Sequence, residues 1–352
     1  MTNLKLTNSG LYWLKIDIAN CYGLDKELFE DRISWVDRNL LTLETLIDTA
    51  DSKLEYIKAI TALRSHELGQ DVHHYMYLDC SNQALQLYAV LTSCLDTAKV
   101  CNLGGFNGLM TDAYTMISVS LNNKFRTDIF TRKNCKRSLM TTLYGKQNGG
   151  DTILEDMLDE ELTKLYNLGI DSDTLNLAFK ESMYDIAPNA MKAMKLIQAL
   201  NNEHIGTYNW VMPDGFRVKY DVRSNQEFEG KRVSAKGIEF SFHTTNKVYK
   251  PSRFNAGMAP NVIHSIDGYI VRELVRRMED KFITPIHDAY AVHPNDIDFM
   301  INNYKDIMIE LLNSEILDNI MSQIADGRVY AKIQKANTLK EEHIRNSLYD
   351  IA

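Results

Sequence analysis

Two short apolar strands, each closed by an aspartate, interrupt a chain whose pattern is otherwise mostly helical. The run Tyr75 to Leu78 ends at Asp79, and residues 283–293 (ITPIHDAYAVH) read as strand, turn and strand with His287-Asp288 at the bend. A carboxylate at a strand end can ligate a hard cation. Two of them can hold the pair of metal ions that clamps the attacking and leaving oxygens of phosphoryl transfer. Strand-end aspartates are also ordinary turn residues, so the residues alone leave both readings open.

Helical spacing surrounds these strands. Across residues 8–50, Leu14, Ile18 and Tyr22 share one face, and Phe29, Ile33, Val36 and Leu40 another. It returns over 83–98 and 127–146, where the Gly149-Gly150 pair supplies a stop, and runs on to about residue 202. After the turn signal Pro213-Asp214-Gly215 the chain alternates, with Phe216, Val218, Tyr220 and Val222, then Ile238, Phe240 and Phe242. This predicts a β-hairpin or ribbon with a basic, polar tip at 223–236. Ile266, Ile270, Leu274 and Met278 mark a further helix. The chain beyond the second aspartate reads as helical down to a short apolar tail, Leu348 to Ala352.

The sharpest local signal is Arg132-x3-Lys136-x3-Met140-x3-Tyr144-Gly145. Four-residue spacing keeps these side chains on one slowly drifting helix face about 18 Å long. Two cations, an aromatic with a polar tip and a following glycine suit a nucleoside triphosphate laid along the helix. Its phosphates would meet the cations, and its base and sugar the ring. The same spacing also describes a solvated basic face.

The 352 residues, 45% hydrophobic and 24% charged, allow two or three subdomains. No apolar run approaches bilayer length and the N-terminal MTNLKLTNSG has no signal-peptide core, so no membrane partner is expected. Cys21, Cys80, Cys94, Cys101 and Cys135 lack CxxC spacing and read as reduced thiols of a cytoplasmic protein. A net charge of −8 counts against a free-standing duplex-DNA binder, which needs basic surface to neutralise phosphates. The charge is uneven, however. Arg126, Arg132, Lys133, Lys136 and Arg137 cluster, as do Arg217, Lys219, Arg223, Lys231, Arg232 and Lys236. Carboxylates crowd 27–37, 151–161 and 310–326, which read as solvated helix faces.

Taken in order, these blocks resemble the T7-like family of single-subunit phage and mitochondrial RNA polymerases. ANCYGLDKELFEDRISWV (19–36) resembles the family's ANCAGVDK…PERI, LDCSNQALQLY (78–88) its motif A, and TRKNCKRSLMTTLYG (131–145) its motif B. NWVMPDGFRV (209–218) is similar to its WVTPDGFPV, MAPNVIHSIDG (258–268) to its IAPNFVHSQDG, and IHDAYAV (286–292) to its motif C. The tail NTLKEEHIRNSLYDIA resembles the family's C-terminus, so the matches cover nearly the whole chain.

The resemblance implies an α/β, mostly helical, right-hand polymerase fold of palm and fingers. Residues 1–101 would be the palm and a palm insertion with motif A. Residues 102–263 would be the fingers, with motif B and a β-hairpin at 216–250 that corresponds to the family's promoter-reading hairpin. Residues 264–352 would be the palm with motif C and a C-terminal foot. The implied activity is that of a DNA-directed RNA polymerase, transferring nucleotides from ribonucleoside triphosphates to an RNA 3′ end on a DNA template. Asp79 and Asp288 would ligate two magnesium ions, joined by the carbonyl of Cys80. Arg132 and Lys136 would bind the triphosphate, and Tyr144 would stack near the incoming base pair. Gly145 would let the template approach closely, and His264 would sit near Tyr144 and the ribose. Lys26 would be a further phosphate contact.

There are departures. In the family's motif A, DGSCSGIQH, glycines stand where this chain has Cys80 and Ala84, and a histidine where it has Leu87. Ala289 replaces the serine of the usual HDS in motif C. Before the LYWLKI match, the family's N-terminal promoter domain, thumb and first palm strand with its WRGR-type motif have no counterpart. This resembles the split enzyme of N-four-like phages, a heterodimer in the cytoplasm of the infected bacterium; a truncation is the other explanation. The implied partners are DNA template, nascent RNA, ribonucleoside triphosphates and a second protein subunit supplying those parts. A family A DNA polymerase shares the three motifs, but typically has a glutamate at the position of Ala84, an aromatic at that of Met140, and HDE in motif C. A polymerase-like scaffold without catalysis is the remaining alternative, and the presence of both aspartates, Arg132, Lys136 and Tyr144 argues against it.

Overall fold

The computed structural model describes residues 4–104, 110–202, 204–222, 224–233, 239–248 and 257–352, with backbone alone for 224–233 and 239–248. It separates into two compact units, one of residues 1–116, 267–314 and 335–352, the other of 117–266 and 315–334. Seven strands are described: β1 (Met76–Asp79), β2 (Thr207–Val211), β3 (Arg217–Asp221), β4 (Ser224–Val233), β5 (Glu239–Val248), β6 (Ile283–Ile286) and β7 (Ala289–Val292). None of the described helices is long and apolar enough to cross a membrane.

The first unit is helical around one small sheet. Helix Asn8–Ala19 starts where the Thr7 hydroxyl accepts a hydrogen bond from the Gly10 amide (3.0 Å), satisfying one orphan donor of the first turn. Its Leu14 and Ile18 join one core with Val36 of helix Phe29–Asn39 and with Tyr56, Ile60 and Leu63 of helix Lys53–Glu67. Arg32 is wholly buried, and its guanidinium donates to Glu27 O (2.9 Å), Asp25 O (2.9 Å) and Asn20 Oδ1 (2.7 Å). Three acceptors offset its desolvation and tie residues 20–27 to the helix that follows.

In the sheet, β7 lies between β1 and β6 and pairs antiparallel with both. Period-two alternation on β1 buries Met76 and Leu78 and exposes Tyr75, Tyr77 and Asp79 of the strand and its lead-in, while on the central strand β7 Tyr290, Ala291 and Val292 are all buried. The last residues of the chain extend the ladder beyond β1. The Ser81 amide donates to Asp350 O (3.0 Å) and the Ala352 amide to Asp79 O (3.1 Å). Gln86 of helix Gln83–Leu91 is fully buried, donates to Asp350 O (2.8 Å) and Cys101 O (3.2 Å), and accepts from the Tyr304 hydroxyl (2.9 Å). A fully satisfied buried amide of this kind fixes the start of that helix, the chain end and helix Ile297–Asn313 against one another.

The second unit differs from expectation at two turns. Helix Arg132–Leu143 ends at Tyr144, followed by Gly145 at φ 94°, and the Gly149-Gly150 pair opens helix Gly149–Glu155 rather than closing the earlier one. A Cβ at Gly149 would fall 2.3 Å from the Phe179 ring, and one at Gly150 would fall 2.6 Å from the Asn176 backbone nitrogen. The pair is there for close approach to helix Ser172–Ile186, not as a stop signal.

Of the β-hairpin or ribbon expected over 216–250, β4 and β5 form a hairpin within that range, whereas β3 pairs back with β2 in a second one. The cause is local. Pro213-Asp214-Gly215 makes a tight turn with Gly215 at φ 81°, closed by the Met212 amide on Phe216 O (2.8 Å). The strand entering the turn is therefore the nearest partner of the strand leaving it. Arg223 and Lys236, with the rest of 234–238, lie outside the described residues, as do the side chains of Lys231 and Arg232. Helix Met258–Arg277 forms as its spacing predicts, with Ile266, Ile270 and Leu274 buried. The C-terminal stretch is helical at Ile297–Asn313, Ile316–Ala325 and Glu341–Arg345. Residues 326–340 are not, because Asp326 (φ 47°) and Gly327 (φ 78°) turn left-handed and end the helix.

Candidate active site

The β1–β7 register sets Asp79 opposite Ala289, the residue that follows Asp288. The Cys80 amide donates to Asp288 O (3.2 Å), so the ladder closes at the ends that carry both aspartates. Asp288 lies in the two-residue turn between β6 and β7, and His287 beside it takes a left-handed φ of 56°. Asp79 is exposed and Asp288 half-buried.

Among the described residues, no three or more His, Cys, Asp or Glu side chains gather into a cage for a metal. Two hard carboxylates on adjoining strand ends are a donor set that fits magnesium, which keeps waters and binds through one or two carboxylates plus substrate phosphates. The Cys80 sulfur is turned away. It is buried, it donates to the Tyr304 hydroxyl (3.4 Å), and burial raises the thiol well above its usual range. A neutral, inward thiol is no ligand, which leaves the carbonyl as the only group Cys80 could offer.

Close to these strand ends, Asp267 of helix Met258–Arg277 has its carboxyl pushed up to about 6. Burial is the main cause and the charge of Asp288 the second, opposed by Gln83 and His287. The Tyr290 hydroxyl is likewise raised, by burial first and then by the charges of Cys80, Asp267 and Asp288.

In the second unit, Thr131 and Asn134 cap helix Arg132–Leu143 reciprocally: the Asn134 amide donates to Thr131 Oγ (3.3 Å) and the Thr131 amide to Asn134 Oδ1 (2.9 Å). Cys135, Leu139 and Leu143 face inward, so the opposite face carries Arg132 and Tyr144 half-buried and Lys136 and Met140 exposed. The Tyr144 and His264 rings stack, 4.7 Å between centroids and 19° between planes. Gly145 holds a backbone conformation that other residues rarely adopt. Lys26, in the first unit, is exposed and paired with Asp25. Ala84 and Leu87 are buried in the core of helix Gln83–Leu91, so the side chain at Leu87 packs rather than hydrogen-bonds.

Asp267, Gln83 and Tyr290 escape a reading of the sequence, although Asp267 lies within the MAPNVIHSIDG block. The available signal was an acid on a helix whose neighbouring positions Ile263, Ile266 and Ile270 are all apolar and prove buried.

The family described as DNA-dependent RNA polymerase matches residues 4–351 of the chain. Among curated relatives, a DNA-directed RNA polymerase of Pseudomonas phage phiKMV is 26% identical, over 97% of this chain and 47% of its own length. The mitochondrial DNA-directed RNA polymerase 1 of Arabidopsis thaliana is 27% identical, over 90% of this chain and 36% of its own. T7 RNA polymerase of Escherichia phage T7 is 23% identical, over 94% and 46%. The chain therefore spans less than half the length of each of these relatives.

A carboxyl raised in the folded state contributes stability below its unfolded pKa, and that contribution is lost as the pH rises through the folded value. For Asp267 the window runs from about pH 4 to about pH 6. Asp267→Asn should therefore stabilise the metal-free chain by up to about 3 kcal/mol near pH 7. The gain should vanish toward about pH 4, read by urea unfolding in chelator. A loss of stability at neutral pH would contradict this.

Proposed function

Because the chain belongs to the DNA-dependent RNA polymerase family, we propose that it carries the reacting centre of template-directed RNA synthesis. The observation that carries this reading is the β1–β7 register, which joins the strand ends of Asp79 and Asp288. The reaction is attack of an RNA 3′-hydroxyl on the α-phosphate of a ribonucleoside triphosphate, on a DNA template, with pyrophosphate leaving. Asp79 and Asp288 hold two magnesium ions, with the carbonyl of Cys80 as a further donor. When bound, the ions neutralise charge on the attacking and leaving oxygens. The chain's own residues bind and orient. Arg132 and Lys136 take the triphosphate, Tyr144 and His264 meet base and ribose, and Gly145 admits the template strand. Lys26, whose ammonium pairs with Asp25 here, is a further phosphate contact. The setting is the cytoplasm of an infected bacterium.

We further propose a second protein subunit as partner. On the side of the sheet that carries Asp79, Tyr75 and Tyr77 are 43% and 44% exposed and Ile286 is 56% exposed. Phe282 packs on Tyr75 at 4.4 Å between ring centroids. A cleft of about 680 Å³, lined by Tyr75, Tyr77, His73 and His74, runs between β1 and helix Lys53–Glu67. An apolar patch of this kind beside an open cleft supports the proposal, because covering it would remove apolar surface from water.

Asp79→Ala and Asp288→Ala should each abolish RNA extension on a primed DNA template while leaving circular dichroism unchanged. Near-normal turnover in either variant would sink the metal assignment. Sugar choice supplies a second test. Ala84 is too small to crowd a 2′-hydroxyl, whereas Tyr144 can hydrogen-bond near it, and a deoxyribose would leave that group unpaired at roughly 1–3 kcal/mol. Tyr144→Phe should keep activity but use deoxynucleotides more readily, and Ala84→Glu should depress ribonucleotide use. Unchanged ribo-to-deoxy ratios of kcat/KM in both variants would overturn these two assignments. For the partner, the enzyme purified from infected cells should sediment as a heterodimer. A stable monomer transcribing as well as that preparation would end the idea.

A further inference from the structure

Beside the strand ends of Asp79 and Asp288 lies a set of buried polar atoms that the proposed chemistry leaves unused. Gln83 opens the helix after β1 and is 6% exposed, and Tyr290, two residues past Asp288, is 0% exposed. Gln83 Nε2, the Tyr290 hydroxyl and Asp267 Oδ1 are all shut off from solvent, and none makes a hydrogen bond of ordinary geometry. Gln83 nevertheless lies beside both others and eases the ionisation of each. The charged groups acting on Asp267 are Asp288 and His287.

Unpaired buried polar groups are rare because each forfeits its hydration without replacement. An acid among them, next to a second acid, is the costliest choice a fold could make there. Asp267 itself is half-buried, with one carboxylate oxygen shut off from solvent, on a helix where Ile263, Ile266 and Ile270 are buried. The arrangement is unfavourable only while the carboxylates stand alone. A divalent cation on Asp288 turns the repulsion between the two acids into attraction toward a shared positive charge.

We propose that Asp267 is a positioning residue for the cation site, supplying a third carboxylate charge from outside the ligand set of Asp79 and Asp288. Gln83 lies beside this carboxyl, whose charge strengthens divalent-cation binding. The inference rests on the metal reading given above. It also accounts for the absence of a three-acid cage among the described residues: the third acid acts through space and through Asp288 rather than as a ligand.

The test is Mn²⁺ binding, followed by the electron paramagnetic resonance of free Mn²⁺, on the native enzyme and its variants. Asp267→Asn keeps the shape and removes the charge, and it should weaken binding about tenfold, the effect of one nearby charge at moderate screening. Asp267→Glu keeps the charge and should bind close to wild type. Asp288→Ala serves as the benchmark and should weaken binding more than either. Wild-type affinity in Asp267→Asn beside a weakened Asp288→Ala overturns this inference and leaves the metal reading standing. So does equal weakening in the Glu and Asn variants, which would make the role one of packing. Unchanged binding in Asp288→Ala would instead overturn the metal reading itself, and this inference with it.

Discussion

Antiparallel pairing of β1 with β7 is the constraint on which the rest of the first unit depends. Strand pairing moves in whole residues, and a slip of one would carry Asp79 to the buried face and Leu78 out of the core. The register is therefore held by the burial of Met76, Leu78 and Val292, which have no part in the proposed chemistry, and of the Tyr290 ring. Past the strand end, the Cys80 amide on Asp288 O and the chain's last residues on the outer edge continue the ladder. The fully bonded Gln86 locks these pieces to the helix behind them. Two acids can thus sit together at an exposed strand end because apolar packing has already fixed where the strands lie.

The electrostatics follow from that placement. One side of the aspartate pair is open, as an ion that keeps part of its water shell requires. The other side is crowded with polar atoms that lack partners, and the Asp267 carboxyl there is held largely by burial away from its ordinary range. Native cores seldom tolerate such groups without a functional return, and here the cost falls on the acids nearest the proposed reacting atoms. The second unit by itself offers a reciprocally capped helix, a left-handed glycine at its end, and two stacked rings.

Much of this was legible because it is local. The apolar runs before Asp79 and Asp288 form strands, and the four-residue spacing from Arg132 to Tyr144 lies on one helix face, since periodicity depends only on neighbouring residues. The strand partner of 216–222 was not legible from alternation, because it depends on which turn closes first. Gly149-Gly150 misled because glycine serves both to stop helices and to let them touch, and only the ring of Phe179 decides between the two. The Gln83, Asp267 and Tyr290 cluster is assembled from three distant segments, so its unpaired state exists only in three dimensions.

The central claim is that Asp79 and Asp288 share one divalent-cation site, and iron-directed cleavage tests it without relying on turnover. Fe²⁺ occupying a magnesium site reduces added hydrogen peroxide to hydroxide and hydroxyl radical, ascorbate returns the iron to Fe²⁺, and the radicals cut the backbone nearest the ion. The account predicts two cuts, one around residues 78–81 and one around 287–289, both suppressed by excess Mg²⁺ and both lost in Asp288→Ala. Cleavage at only one of these segments, or at neither, would contradict it.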